Sequence, residues 1–156
     1  MRLIPVDPQN EDHVHTLYDI FMGRAKDARI SSKGPRPTYE QHREFVRNHP
    51  YVDWSLISAG YPARHPQYEP GFFIVGAISL SQPPRPSVAG DEISVDILPA
   101  FQGQGNAAEA IRLMMEKHGP RRYLANIAPE NYRSMALFKK LGFRQCQVTF
   151  SLEIES

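Results

Sequence analysis

Residues 97–107 of the 156-residue chain read ILPAFQGQGNA and lie where a predicted strand is followed by a predicted helix. Gly103 and Gly105 let the backbone turn tightly and approach a ligand, and the N–H groups that begin the following helix attract phosphate. The stretch lacks the Lys-Ser or Lys-Thr pair of a Walker A loop, and Ala108 stands where a dinucleotide-binding fingerprint carries its third glycine. The stretch therefore predicts a strand–loop–helix unit for a phosphate-containing ligand, with an ordinary turn and a dinucleotide site as the alternatives.

The patterns on either side of this stretch predict an α/β fold of the α+β type, in a single domain over residues 1–156. Four helices are expected. The first begins after an Asn10 cap, and the second begins at a Thr38–Gln41 capping box. The third and fourth span residues 105–118 and 129–141. About six strands are expected in a mixed sheet, at residues 3–6, 51–58, 71–80, 91–98, 121–127 and 147–154. Proline clusters at residues 62–70 and 83–86 should form the loops around the third strand.

Charge and composition exclude several classes of protein. The chain carries 18 basic and 17 acidic residues, so it has no basic excess with which to neutralise nucleic-acid phosphates or anionic lipids. Cys146 is the single cysteine, which argues against a disulfide framework and against a multi-cysteine zinc site. The histidines show no metal-ligand spacing, and no apolar run approaches the ~20 residues of a membrane span. We therefore expect a cytoplasmic protein with no metal and with neither nucleic acid nor membrane as partner.

Two motifs in register carry a family resemblance. Residues 97–99 (ILP) and 102–107 (QGQGNA) fit the pattern V-x-P followed by Q/R-x-x-G-x-G/A. Residues 131–143 (NYRSMALFKKLGF) fit N-x-x-A/S-x-x-L-Y-x-K-x-G-F at the expected distance. Together they resemble the coenzyme-A-binding segments of the GNAT superfamily of acyl-CoA N-acyltransferases, and the strand–helix order agrees over nearly the whole chain. The resemblance implies the GNAT fold, with acetyl-CoA as acyl donor.

The resemblance also implies which residues contact coenzyme A. Backbone N–H groups of the loop would hold the pyrophosphate, and the backbone around Ile97 and Leu98 would pair with pantetheine as an added strand does. A backbone N–H near Ile97 or Leu98 would polarise the thioester carbonyl. Asn131 would reach the pantetheine, and Ser134 and Phe138 would face the thioester. The loop residues so implied are Gln102, Gly103, Gln104, Gly105, Asn106 and Ala107.

Members of this superfamily often carry a carboxylate base near the start of the fourth strand. Asp91 and Glu92 occupy that position here, and Asp96 shares a strand face with Glu92. We choose Glu92 as the catalytic base, with Asp91, Asp96 or a water molecule as alternatives. An equally ordinary interpretation is that these residues are exposed carboxylates at a strand end with no catalytic role.

The sequence departs from the family pattern at two places. Many members carry a tyrosine as general acid at the position where this chain carries Phe138. Water or Ser134 would therefore have to assist the departing thiolate; the alternative is that the chain has lost catalysis. After Phe143 only thirteen residues follow, which is enough for one strand where many relatives have a hairpin. An edge left unpaired in this way would favour a homodimer.

The acceptor region of this superfamily corresponds here to residues 24–37, to the helix with His42 and Glu44, and to the strand with Trp54. Residues 38–54 resemble bacterial members that acetylate small amines or amino sugars. His42 is expected as an exposed helix residue, with a role as base or substrate contact as the alternative. The sequence thus predicts direct acetyl transfer from acetyl-CoA to the primary amine of a small molecule. The alternatives are acetylation of a protein N-terminus or lysine, and a non-catalytic acyl-CoA-binding module.

Overall fold

In a computed structural model of the chain, which describes residues 1–24, 35–61, 71–82 and 89–154, five strands form one sheet in the order β1-β2-β3-β4-β5. Neighbouring strands from β1 to β4 are antiparallel, and β5 is parallel to β4. This mixed sheet and its four helices confirm the predicted α/β fold class. The elements are, in chain order, β1 (Arg2–Pro5), α1 (Glu11–Met22), α2 (Tyr39–Arg47), β2 (Asp53–Tyr61), β3 (Gly71–Ser81), β4 (Asp91–Ile97), a short 3-10 helix (Pro99–Phe101), α3 (Asn106–His118), β5 (Tyr123–Leu124) and α4 (Tyr132–Lys140).

The helix starts follow from local side-chain chemistry. Asn10 Oδ1 accepts hydrogen bonds from backbone N–H groups of the first turn of α1, which satisfies donors that have no carbonyl within the helix. Thr38 and Gln41 form the predicted capping box at α2. Both predicted caps are therefore confirmed. The predicted proline clusters at residues 62–70 and 83–86 lie outside the described residues.

The two faces of the sheet carry separate apolar cores, because successive side chains of a strand point to opposite sides. On one face, Ile57 packs with buried residues of α3 and with Phe138 of α4. On the other face, Trp54 and Leu56 pack with buried residues of α1 and α2. The sheet thus separates the α1–α2 layer from the α3–α4 layer. The strand β4 leads directly into the second of these layers, through the loop before α3.

The predicted closing strand at residues 147–154 is wrong for this structure. None of these residues pairs with a strand of the described part of the chain, and all of them are exposed. The predicted strand at 121–127 is also shorter than expected, since pairing includes only Tyr123 and Leu124. A period-two pattern indicates that a segment is suited to a strand, but the pairing requires a neighbouring edge that the pattern does not specify. Over the described ranges the sheet therefore has five strands, where the sequence predicted about six.

Candidate active site

A cleft opens where β4 and β5 separate. The parallel pairing joins only Asp91 to Tyr123 and Glu92 to Leu124, and beyond these residues the two strands diverge. The resulting cleft has a volume of about 990 Å³ and lies among β4, the loop before α3, the segment after β5, and α4. Of the predicted base candidates and coenzyme A residues, those that line it are Glu92, Asp96, Ile97, Gln102, Gly103, Gly105, Asn106, Ala107, Asn131, Ser134 and Phe138. Leu98 and Gln104 are not among the lining residues.

The backbone of β4 presents hydrogen-bonding groups to this cleft. The N–H of Leu98 donates to the Val75 carbonyl of β3 at 2.8 Å, and the N–H of Asp91 donates to the Arg122 carbonyl on the β5 side at 2.9 Å. In an antiparallel pair these directions alternate, so the backbone groups of Val95 and Ile97 face the side from which β5 has departed. Leu98 therefore bonds within the sheet, whereas the backbone of Val95 and the N–H of Ile97 face the cleft, and the Ile97 carbonyl accepts a hydrogen bond from the Gln102 side chain.

A close approach between β3 and β4 sets the position of this edge. The β2–β3 register shifts between Ile57 and Ser58, which is a β-bulge beside Gly76. A Cβ atom added to Gly76 would lie 2.1 Å from the carbonyl oxygen of Asp96. Only glycine lets the two backbones come this close, so the bulge and Gly76 together fix the path of β4 next to the cleft.

The predicted phosphate loop has the geometry of an anion-binding turn. Gly103 and Gly105 have φ values of 73° and 82°, a region that other residues rarely adopt, and no atom within 4 Å would meet a Cβ at either position. Gly105 is the N-cap of α3, and no side chain caps the helix. The buried Asn106 side chain donates to the Phe101 carbonyl at 3.0 Å, which fixes the loop to the 3-10 helix. The positive end of the α3 dipole therefore opens toward the cleft.

The start of α4 is linked to the same loop. Asn131 Oδ1 accepts the N–H of Ser134 at 3.2 Å, so Asn131 both caps α4 and lines the cleft. Arg133 donates from its guanidinium to Gln102 Oε1, and Gln102 Nε2 donates to the Ile97 carbonyl at 2.9 Å. This chain of hydrogen bonds crosses the cleft mouth and places a cation beside the glycine loop. The sequence patterns gave no signal for the role of Arg133, because its partner lies 31 residues away.

Phe138 lines the cleft and carries no proton to transfer. Its side chain is 6% exposed and packs edge-to-face against Phe143, with ring centroids 5.0 Å apart. Both residues also belong to the α3–α4 core. Phe138 therefore acts as an apolar wall, and Ser134, one turn earlier on α4, is the nearby lining residue with a hydroxyl.

The three candidate carboxylates differ in their partners. Asp96 accepts hydrogen bonds from two nitrogens of Arg24, one of them Nε at 2.7 Å from Oδ1, so both of its oxygens are engaged. Asp91 pairs with Arg121 at 2.7 Å. Glu92 lines the cleft and has no ion pair within the described part of the chain. Guanidinium groups occupy both oxygens of Asp96 and one oxygen of Asp91, so the contacts favour Glu92 among the three.

The Tyr51 phenol also lines the cleft, close to a candidate base. Tyr51, at the approach to β2, lines it together with Arg24 and Glu92. Burial raises the pKa of the Tyr51 phenol, the charge of Arg24 opposes that shift, and Asp96 and Glu92 reinforce it. The phenol therefore stays protonated at neutral pH. Most of the predicted acceptor connection, residues 25–34, lies outside the described residues.

Two residues expected near the acceptor lie elsewhere. The prediction of an exposed His42 is wrong: the side chain is 6% exposed, lies against the Tyr18 and Phe21 rings, and does not line the cleft. Burial lowers the pKa of His42, so the imidazole is neutral at pH 7. Trp54 packs edge-to-face on Tyr51 inside the α1–α2 core and supports the cleft from behind.

Across residues 1–24, 35–61, 71–82 and 89–154, no three His, Cys, Asp or Glu side chains are grouped as metal ligands would be. Within these same ranges, no helix has both the length and the apolar character that a membrane span requires.

Comparison with known proteins identifies one family and several solved structures. Residues 2–144 match the family model described as acetyltransferase (GNAT) domain. No curated protein matches the chain. An aminoglycoside acetyltransferase from an uncultured soil metagenomic sample is 18% identical, with 99% of this chain and 98% of that chain covered and a TM-score of 0.57.

Two further solved structures show the same fold. A ribosomal-protein-alanine N-acetyltransferase from Brucella melitensis is 16% identical and has a TM-score of 0.65, with coverage of 94% of this chain and 86% of that chain. An acetyltransferase from Salmonella typhimurium, solved with its cofactor acetyl-CoA, is 16% identical and has a TM-score of 0.61, with coverage of 92% and 79%. At these identities the likeness establishes the shared fold.

Proposed function

The chain belongs to the acetyltransferase (GNAT) domain family, whose members are acetyl-CoA-dependent N-acetyltransferases, and from that premise we propose that it transfers acetyl directly to a primary amine of a small molecule. The observation that carries the proposal is the cleft itself. Its wall is the open edge of β4, one end meets the glycine loop at α3, and the other end holds Glu92. A thioester donor bound along the wall would bring its acyl group toward that carboxylate.

The proposed coenzyme A contacts use the backbone more than side chains. The loop from Gln102 to Ala107 and the start of α3 would hold the pyrophosphate, with Arg133 as a neighbouring cation. The backbone groups of Val95, which face the cleft, would pair with the amides of the pantetheine arm, as they would with an added strand. Leu98 is unsuited to this role, because its N–H already donates to Val75.

We assign three chemical roles to this chain. Glu92 takes the proton of the attacking amine, directly or through water, since Asp91 and Asp96 are bound by arginines. The Ile97 N–H, which faces the cleft, polarises the thioester carbonyl. Ser134 helps to protonate the thiolate that leaves the acyl donor, or water protonates it directly, because Phe138 has no acidic proton.

The acceptor is proposed as a small molecule on the basis of the sequence resemblance and of the likeness to an aminoglycoside acetyltransferase. The likeness to a ribosomal-protein-alanine N-acetyltransferase keeps a protein N-terminus as the second candidate. The anionic Glu92 beside the neutralised Arg24–Asp96 pair would attract a cationic amine of either kind. Phe138 is the observation that favours the third candidate, a non-catalytic acyl-CoA-binding module.

Two measurements test the proposal in sequence. Thermal unfolding with coenzyme A and acetyl-CoA, against ATP and NAD as controls, should show stabilisation by the two coenzyme A species only, by about 2.7 kcal/mol at a hundredfold excess over Kd. Release of free thiol should then be followed across panels of polyamines, amino sugars, amino acids and peptides that begin with alanine. Thiol release with a small amine supports the proposal. Release with peptides alone would instead indicate a protein N-terminus as the acceptor. Binding of coenzyme A with no thiol release across the panels would indicate a non-catalytic acyl-CoA-binding module.

A further inference from the structure

Three serine side chains lie on the part of the sheet that lines the Glu92 end of the cleft. Ser79 of β3 and Ser94 of β4 are direct partners in the antiparallel pair, so their side chains lie side by side on one face. Ser81 pairs with Glu92 in the same way, two residues along each strand, and all four residues line the cleft. We call the three serines the serine floor. Residues two apart on a strand lie about 7 Å apart, so one small molecule can contact both Glu92 and the Ser79–Ser94 pair.

Ser79 has a buried hydroxyl in the lining of this cleft. The residue is only 6% exposed, and its side chain makes no hydrogen bond to the described part of the chain. Buried hydroxyls normally have a partner, because removing one from water without a hydrogen bond costs free energy. Ser55 of β2 follows this rule, since its Oγ donates to Asp53 Oδ1 at 3.0 Å. The Ser79 hydroxyl therefore lacks a partner that a molecule in the cleft would supply.

Tyr51 adds a phenol hydroxyl to the same end of the cleft. The N–H of Val52 donates to the Leu80 carbonyl at 2.9 Å, which fixes this part of the chain beside β3. The Tyr51 ring packs edge-to-face on Trp54 and on Phe45, with centroids 4.7 Å and 6.0 Å apart. Its hydroxyl makes no hydrogen bond to another described residue. The ring is thus held in place by its neighbours, and the hydroxyl is available to a ligand.

The cations near the serine floor are already engaged. Arg24 binds both oxygens of Asp96, and the Arg36 guanidinium donates to the backbone carbonyls of Met22 and Arg24. Glu92, by contrast, has no ion pair within the described ranges. An ammonium group suits Glu92 and a neutral hydroxyl suits the serine floor, whereas a carboxylate placed there would be repelled by Glu92.

From this arrangement we propose that Tyr51, Ser79 and Ser94 form a hydroxyl-binding subsite beside Glu92, and that the acceptor is a small amino alcohol or amino sugar. This inference rests on the proposed function and names the chemical class of its acceptor. The amine lies against Glu92, and a hydroxyl group close to that amine lies against the subsite. A substrate hydroxyl both donates and accepts, so it can satisfy the phenol and a serine at once. Alkylamines and polyamines offer no such group, and amino acids add a carboxylate beside Glu92.

The kinetic test compares two acceptors that differ by one hydroxyl group, 2-aminocyclohexanol and cyclohexylamine. Thiol release should give the native chain a kcat/KM about 10-fold or more higher for the amino alcohol, because the analogue leaves the subsite hydroxyls unpaired. Tyr51→Phe and Ser79→Ala should each lower this ratio by roughly 10-fold, as expected for the loss of one hydrogen bond. Comparing the ratio between variants cancels the different basicity of the two amines. Tyr132→Phe, on a residue that is 76% exposed and does not line the cleft, should keep the native ratio.

A binding test separates the subsite from catalysis. Glucosamine is titrated calorimetrically into the complex of the chain with coenzyme A, which holds no acyl group to transfer. The Kd should rise by roughly 10-fold in Tyr51→Phe and stay at its native value in Tyr132→Phe. This result without thiol release from any amine would support the subsite and overturn the proposed acetyl transfer alone.

Other outcomes would overturn the subsite. Equal kcat/KM values for the two cyclohexyl amines in the native chain would do so and would leave acetyl transfer to a small amine standing. A preference for the amino alcohol that persists in both Tyr51→Phe and Ser79→Ala would show that other groups bind the hydroxyl. Higher kcat/KM values for polyamines or for peptides than for amino alcohols and amino sugars would likewise contradict the inference, as would the absence of both glucosamine binding and thiol release.

Discussion

The carboxylate of Asp53, at the start of β2, lies 2.7 Å from Nε2 of His118, the last residue of α3. Lys117 Nζ also contacts Asp53 Oδ2 at 2.7 Å, and Ser55 Oγ donates to Oδ1 at 3.0 Å. The Asp53 side chain is only 7% exposed. A buried carboxylate thus joins the end of α3 to the start of β2, on the face of the sheet opposite α1 and α2.

We expect this cluster to make stability depend on pH in the acid range. Burial acts to raise the pKa of Asp53, but the hydrogen bonds from Lys117, His118 and Ser55 outweigh it and hold the pKa below its usual value. A lowered pKa in the folded state means that the contribution to stability is complete above the unfolded pKa, about 3.9, and is lost as pH falls through the folded pKa.

The variant Asp53→Asn tests this expectation. It should lower the free energy of unfolding at pH 7 by about 1–3 kcal/mol, because a charge-assisted pair is removed from a buried site. The difference from the native chain should shrink as pH falls below about 4. Urea denaturation at several pH values measures this difference in the free energy of unfolding. The control is Glu116→Gln, which removes an exposed carboxylate on α3. A difference that does not change between pH 7 and pH 2.5 would contradict the assignment.

A second prediction concerns the close approach of β3 and β4. Gly76→Ala places a Cβ 2.1 Å from the Asp96 carbonyl, so β4 must shift and the cleft edge must move with it. We expect a loss of stability of about 1–3 kcal/mol and at least tenfold weaker binding of coenzyme A. Gly71→Ala on the same strand, where the nearest atom is 3.9 Å away, should change neither. Thermal unfolding and calorimetric titration measure both quantities, and equal behaviour of the two variants would refute the role of Gly76.

A third prediction separates the candidate bases. Glu92→Gln should lower kcat at neutral pH by about 10²–10⁴-fold and leave coenzyme A binding intact, because only the proton acceptor is lost. Asp96→Asn should lower kcat far less, since the Asp96 carboxylate is already bound by Arg24. Steady-state kinetics with the best acceptor from the amine panel, measured as a function of pH, compares the two. A larger loss in Asp96→Asn would transfer the role of base from Glu92 to Asp96.

A fourth prediction concerns the cation beside the glycine loop. Arg133→Gln removes the positive charge at the cleft mouth and weakens the link to Gln102, so the Kd for coenzyme A should rise by roughly 10-fold to 100-fold, as expected for a loss of about 1.5–3 kcal/mol. Lys140→Gln removes the same charge at the exposed far end of α4 and should leave the Kd unchanged. Titration calorimetry at low and high salt checks the pair, and an unaltered Kd in Arg133→Gln would exclude an electrostatic role.

Much of the fold could be predicted from the sequence because its signals are local. The caps at Asn10 and Thr38 act over two or three residues, and the glycine turn before α3 is decided by the φ values that only glycine adopts readily. Two motifs in register identified the family before any contact was known, and the family match confirms that identification. The coenzyme A residues remain predictions, although the structure brings most of them to one cleft.

The tertiary structure decided which of these local features meet. Arg24 binds Asp96 across 72 residues of sequence, which distinguishes Asp96 from Glu92 although both have the same strand face and the same chemistry. Packing against α1 buried His42, and the apolar pattern at 147–154 joined no strand of the described part of the chain. Helix caps, turns and periodicity depend on atoms a few residues apart, so the sequence by itself determined them. Charge neutralisation, burial and strand pairing depend on elements brought together from distant parts of the chain, so only the folded structure could decide them.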